Sequence, residues 1–138
     1  MVPLLLDLQR ATHATLHHLT TALADLHLSP SELNALANLA VFPDGTGTVS
    51  ELGAAAGVRP TTLTGIVDRL EQRDLLTRGP HPRDRRTVVL RLTPAGAEVA
   101  ARVIDAMAEL ERRALAALPS GAAADFAGVL RALTEAAQ

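Results

Sequence analysis

Cysteine and lysine are absent from the 138 residues, as are tyrosine and tryptophan, and phenylalanine occurs only at Phe42 and Phe126. Without thiols the chain has no disulfides, no thiolate metal site and no cysteine-based redox sensor. Without lysine it has neither a Walker A phosphate loop nor an amine for Schiff-base chemistry. With 48% hydrophobic residues and so few rings, the core has to be built from Leu, Val, Ile and Ala, which favours helices. No stretch approaches the ~20 consecutive apolar residues of a membrane span. The apolar run from Met1 to Leu8 is interrupted by Asp7, with no basic leader or small-residue cleavage site after it, and reads as the opening of a helix. A soluble, cytoplasmic protein is expected, with no membrane partner and no cofactor. A chain of this length is expected to form one domain over residues 1–138, large enough for a real core.

All 13 basic residues are arginine, for which codon bias in a GC-rich genome is a simpler account than selection for bidentate contacts. The distribution of charge says more than its kind. From Arg59 to Arg91 eight arginines (59, 69, 73, 78, 83, 85, 86, 91) face four acids (68, 71, 74, 84), giving +4; elsewhere five arginines face eleven acids, giving −6. A basic third in an acidic chain suits a polyanionic partner, although a merely solvated charged face would look the same.

Leucines at 5, 8, 16, 19, 23 and 26 recur at steps of three and four and predict one long amphipathic helix over residues 2–26. Ser29-Pro30-Ser31-Glu32 reads as a capping box with proline in the first turn, opening a second helix whose apolar face is Leu33, Leu36, Leu39 and Ala40. Pro43-Asp44-Gly45 stops it. Thr48-Val49-Ser50-Glu51 repeats the capping-box pattern for a helix of about two turns that ends at Gly57, a left-handed cap. Pro60 starts another, with Leu63, Ile66, Val67 and Leu70 as its stripe. Its other side shows Thr61, Gly65 and Asp68, flanked by Thr62, Thr64 and Arg69. Two short helices around a glycine turn, the second with small polar residues near its start, form a helix-turn-helix pattern.

Leu75-Leu76-Thr77-Arg78 and the alternating Thr87 to Leu92 predict a hairpin whose tip, Gly79 to Arg86, is basic and stiffened by proline. Thr93-Pro94 caps a helix lined by Val99, Val103, Ala106 and Leu110. Pro119-Ser120-Gly121 breaks it, and a last helix is expected to turn Phe126, Val129, Leu130 and Leu133 inward. The fold class is therefore mainly α with a small β-hairpin wing: a winged helix-turn-helix over about 29–93, with flanking helices over about 2–26 and 94–137.

In the major groove threonine hydroxyls bond phosphates or base edges while their methyls touch thymine, and Thr61, Thr62 and Thr64 suit that task, with Gly65 allowing close approach. Those threonines would also simply cover an exposed face. The tip tilts the balance, because its arginines cannot be buried economically and a narrow minor groove attracts them. Arg83, Arg85 and Arg86 are the strongest candidates, with Arg59 and Arg69 as flanking cations. Asp84, an acid inside a basic tip, is expected to orient the Arg86 guanidinium by a bidentate bond.

At these residues the sequence resembles the MarR family of bacterial transcriptional regulators. The carrying segments are Ser50-Glu51-Leu52-Gly53, Val67-Asp68-Arg69-Leu70-Glu71, Leu75-Leu76-Thr77-Arg78, and above all Asp84-Arg85-Arg86 followed by Leu92-Thr93-Pro94-Ala95-Gly96. The resemblance implies a homodimer joined through the first and last two helices. It also implies a palindromic operator in double-stranded DNA, with the helix from Pro60 in the major groove and Arg86, supported by Asp84, in the minor groove. It implies release of DNA by a small effector, often phenolic or otherwise aromatic, and regulation of a nearby operon, as a repressor.

Other classes are less well supported. His13 and His17 stand four apart and could share a metal, but nothing completes a site and a place at a dimer interface or its rim is the better reading; no metal is expected. A pH response of interface histidines is the weaker alternative. A Ser-His-Asp hydrolase lacks a nucleophile elbow, so no enzyme and no catalytic residues are expected. A non-catalytic winged-helix module that binds a protein partner or acts architecturally is the main competitor.

Overall fold

The structure, a computed structural model, describes residues 1–138. Its helices are α1 (Leu4–Ala22), α2 (Pro30–Val41), α3 (Val49–Ala56), α4 (Pro60–Gln72), α5 (Pro94–Leu115) and α6 (Ala122–Ala136), and its strands β1 (Thr46–Thr48), β2 (Leu76–Pro80) and β3 (Val88–Leu92). The chain resolves into two compact units, Met1–Ala106 and Met107–Gln138, and α5 runs from the first into the second. No helix is long and apolar enough to cross a membrane.

In the first unit both capping boxes form. The Glu32 amide donates to Ser29 Oγ at 3.2 Å and the Ser29 amide to Glu32 Oε1 at 3.1 Å. The same reciprocal pair at Thr48 and Glu51 measures 3.0 and 3.2 Å. Each box satisfies two amide donors that a helix start leaves without partners. Gly57 ends α3 with φ 65°, a left-handed value that costs glycine nothing. The faces that periodicity picked out meet in one core, where Leu36, Leu39, Leu52, Leu63, Ile66, Leu70, Leu76 and Leu90 are all but inaccessible. Each such leucine stabilises the fold by roughly 1.5–3 kcal/mol through its burial.

The expected hairpin proves to be part of a three-stranded antiparallel sheet of order β1-β3-β2. β2 and β3 pair from Leu76↔Leu92 to Pro80↔Val88, and β1 adds Thr46↔Arg91, Gly47↔Leu90 and Thr48↔Val89. Gly47 is fixed by sterics: a Cβ there would run into the Phe42 ring. At the other end of β3, Thr93 ties the strands to α5. Its amide donates to the Leu75 carbonyl at 3.1 Å and its hydroxyl to the Asp74 carbonyl at 2.6 Å, while Thr93 Oγ1 itself accepts from the Gly96 amide at 2.9 Å. Gly96 lies so close to the Leu75 carbonyl that any Cβ would overlap it.

The predicted first helix ends at Ala22, and a 3-10 turn (Ala24–Leu26) follows. Leu19, Leu23 and Leu26 are buried, Leu8 and Leu16 half-buried, and Leu5 exposed. Arg102 of α5 holds Asp25 of the turn through two bonds of 2.8 and 3.0 Å, which draw the Asp25 carboxyl below its ordinary range.

In the second unit one expectation is overturned. Phe126, Val129 and Leu133 do not turn inward: they are exposed, as is Leu118, and Leu130 is only half-buried. This unit has only the end of α5 and α6, so it lacks a further layer to cover both sides. Its apolar residues instead line an open groove of about 590 Å³ that includes Leu115, Leu118, Phe126 and Leu130.

Candidate nucleic-acid interface

α4 starts at Pro60 because proline needs no amide partner in a first turn, and Arg59 occupies the N-cap with extended backbone. No side chain caps this helix, so its free amides and the positive end of its dipole stay open to an anion. Arg59, Thr61, Thr62 and Thr64 are all exposed around this start. The Thr64 hydroxyl donates to the Pro60 carbonyl at 3.0 Å. At Gly65 a Cβ would come 3.2 Å from the Arg69 Nη1, the end of a flexible and exposed side chain that can give way. Arg69 in turn lies 3.8 Å from Glu32, the one buried charged residue.

The wing tip is organised by Asp84. Its Oδ1 accepts the Arg86 amide at 3.0 Å, its Oδ2 the Thr87 hydroxyl at 3.0 Å, and its carbonyl the Thr87 amide at 3.1 Å. The expected bond from Asp84 to the Arg86 guanidinium is absent; the carboxylate grips the backbone of the turn. The Arg86 amide first, then the Thr87 hydroxyl, pull the Asp84 carboxyl below its ordinary range. Next to it the His81 amide donates to the Thr87 carbonyl and the Arg83 amide to His81 Nδ1, each at 3.1 Å. Arg85 and Arg86 are therefore the two central residues of a pinned turn, with exposed side chains. An Asp that opens a turn by accepting an amide two residues on is recognisable chemistry, so sequence held that signal.

The eight arginines of the basic third divide by partner. Arg73 donates to the Leu26 carbonyl at 2.7 Å and the His27 carbonyl at 3.0 Å, tying the end of α4 to the turn after α1. Arg78 bonds Asp68 and lies 3.3 Å from Glu71. Arg69 is directed toward Glu32. Arg59, Arg83, Arg85, Arg86 and Arg91 make no such guanidinium contacts, and all are exposed. Arg91, on β3, was counted in the basic segment without a role of its own. Within this region the engaged arginines bond or face acids or donate to backbone carbonyls, and the free ones lie at the start of α4 and along the wing. His13 and His17 are exposed on α1, and no three His, Asp or Glu side chains come together as a metal site.

A helix-turn-helix followed by a wing tipped with free guanidiniums defines the winged-helix class. Residues 28–88, a little under half of the chain, match the MarR family. Among curated relatives it is 34% identical over 77 residues to the HTH-type transcriptional repressor NicR of Pseudomonas putida, covering 56% of this chain and 49% of that one. It is 38% identical over 69 residues to the HTH-type transcriptional repressor MdtR of Bacillus subtilis, covering 50% and 43%. The matched stretch thus spans about half the length of these relatives, which are named as regulators of transcription and not as enzymes. A crystal structure of NadR in complex with 4-hydroxyphenylacetate superposes with a TM-score of 0.85 over 96% of this chain and 93% of that one, at 22% identity. That likeness shows a shared fold.

Proposed function

We propose that the chain is a dimeric, DNA-binding regulator of transcription that represses a nearby operon and is released by a small-molecule effector. The observation that carries this reading is the set of free, exposed guanidiniums at Arg59, Arg83, Arg85, Arg86 and Arg91, together with an uncapped start of α4, in a segment similar to the MarR family. In this reading Thr61, Thr62, Thr64 and Gly65 of α4 enter the major groove, Arg59 and Arg69 flank it, and Arg83, Arg85 and Arg86, on a turn set by Asp84, reach the minor groove and its phosphates. Cytoplasmic action follows from such a target.

A palindromic operator requires two copies, and the apolar groove and exposed Phe126, Val129 and Leu133 of the second unit give a second copy a surface to cover. The bare Leu4, Leu5 and Leu6 of α1 are further candidates for that interface. For an effector, the first unit offers an open cleft of about 390 Å³ lined by Ala40, Leu92, Ala101 and Ile104 together with Asp44 and Asp105. That volume lies in the range of small-ligand sites. The ligand named for the NadR structure makes phenolic compounds the first to try.

The test is a footprint on DNA flanking the chain's own gene, repeated with phenolic candidates. Arg83→Ala together with Arg86→Ala should weaken binding by about a hundredfold or more, since each such contact is worth about 1–3 kcal/mol. Retained regulation by that double variant would instead favour a protein-binding or architectural module.

A further inference from the structure

Arg78 belongs to the inner face of the sheet. It pairs across β2 and β3 with the buried Leu90, and Leu76, two residues earlier on the same face, is buried as well. Side chains alternate along a strand, so Arg78 has to point toward the layer that α4 occupies. There it meets Asp68 and Glu71, three apart and therefore on one side of α4. Only 34% of its side chain is exposed. A phosphate approaching this guanidinium would meet two carboxylates around it, so the local charge repels the backbone of DNA.

We propose that Arg78 is a positioning residue for operator binding. By bridging Asp68 and Glu71 it locks the wing to the recognition helix, so that the tip arginines and the start of α4 meet DNA as one rigid body. It does not bind phosphate itself. This rests on the DNA-binding reading above. A single exposed ion pair is worth little, but a guanidinium held by two carboxylates restrains a direction as well as a distance.

The experiment uses the full chain and a duplex that the wild-type protein selects from a random-sequence library. Two variants are compared, Arg78→Met and the pair Asp68→Asn with Glu71→Gln. A phosphate-binding Arg78 predicts that the second variant binds more tightly, because two repelling charges are gone. The lock predicts the reverse: both variants lose affinity, by about fivefold, the size of coupling inside one ion-pair network. Combining all three substitutions should then cost no more than either variant. The dependence of log K on log salt should keep the wild-type slope in Arg78→Met, whereas loss of a phosphate contact lowers it by about 0.9 per protomer. Amide exchange of the free protein should quicken in β2 and at residues 81–87 in both variants. Tighter binding by Asp68→Asn with Glu71→Gln, a lowered slope in Arg78→Met, or unchanged exchange in both would overturn the proposal. If Arg78→Met does not fold, the acid-side variant carries the test alone. Failure of the wild type to select any duplex would count against the DNA-binding reading, and the exchange measurement would still decide whether the lock exists.

Discussion

Asp84 carries more of the wing's shape than any arginine does, because it accepts from the Arg86 amide and the Thr87 hydroxyl at once. Asp84→Ala should leave every cation in place and still lower operator affinity, by about an order of magnitude, since arginine contacts depend on where the turn aims them. Asp84→Asn, which keeps an acceptor for one of the two bonds, should fall between. Gel shifts on the selected duplex check the order. The bonds favour the ionised carboxylate, so its folded pKa lies below the unfolded one. Their contribution is complete above the unfolded value and disappears only as the pH falls through the depressed one. The Asp84 carboxyl carbon, which reports its own proton directly, should accordingly show its titration only below the ordinary aspartate range. A midpoint near or above that range would contradict the turn geometry.

At the scale of elements, the joint between β3 and α5 is the least tolerant place in the first unit. Gly96→Ala has to push the start of α5 away from the Leu75 carbonyl, which is backbone and cannot swing aside. A loss of about 2–3 kcal/mol in urea unfolding is expected, as for an overpacked core site. No loss would mean that α5 is free to shift. The elements themselves were legible wherever their chemistry is local. Ser29 with Glu32, Thr48 with Glu51, Gly57, and Pro60 each mark a helix end within four residues, and the structure sets its helices on those marks. β1 was not legible, because Thr46-Gly47-Thr48 is too short to alternate and is a strand only through its pairing with β3. The ion pair of Arg78 with Asp68 joins residues ten apart across two elements, which no local pattern encodes. In α6 the period identified the apolar face of Phe126, Val129 and Leu133 correctly; what covers that face is not a property of the helix.

For the whole molecule, that bare face predicts assembly. Phe126→Glu with Leu133→Glu should convert a dimer to monomer in sedimentation equilibrium and weaken binding to a two-half-site duplex far more than to a single half-site. Equal sedimentation of wild type and variant would place the interface elsewhere. Salt gives the second whole-molecule prediction. Five free arginines per protomer, ten in a dimer, set an upper bound of about −9 on the slope of log K against log salt. A slope shallower than about −3 would mean that the wing tips do not reach DNA.

The five free guanidiniums also decide which signals the surface can receive. A guanidinium does not lose its proton below pH ~12, and it is no substrate for acetylation, the common way of cancelling a positive charge on a DNA-binding protein. With no lysine anywhere in the chain, neither moderately alkaline conditions nor acetylation of a lysine side chain would cancel the charge of the proposed phosphate contacts. Under the proposed function, release would come instead from competing ions, from a ligand that moves the wing, or from two copies parting.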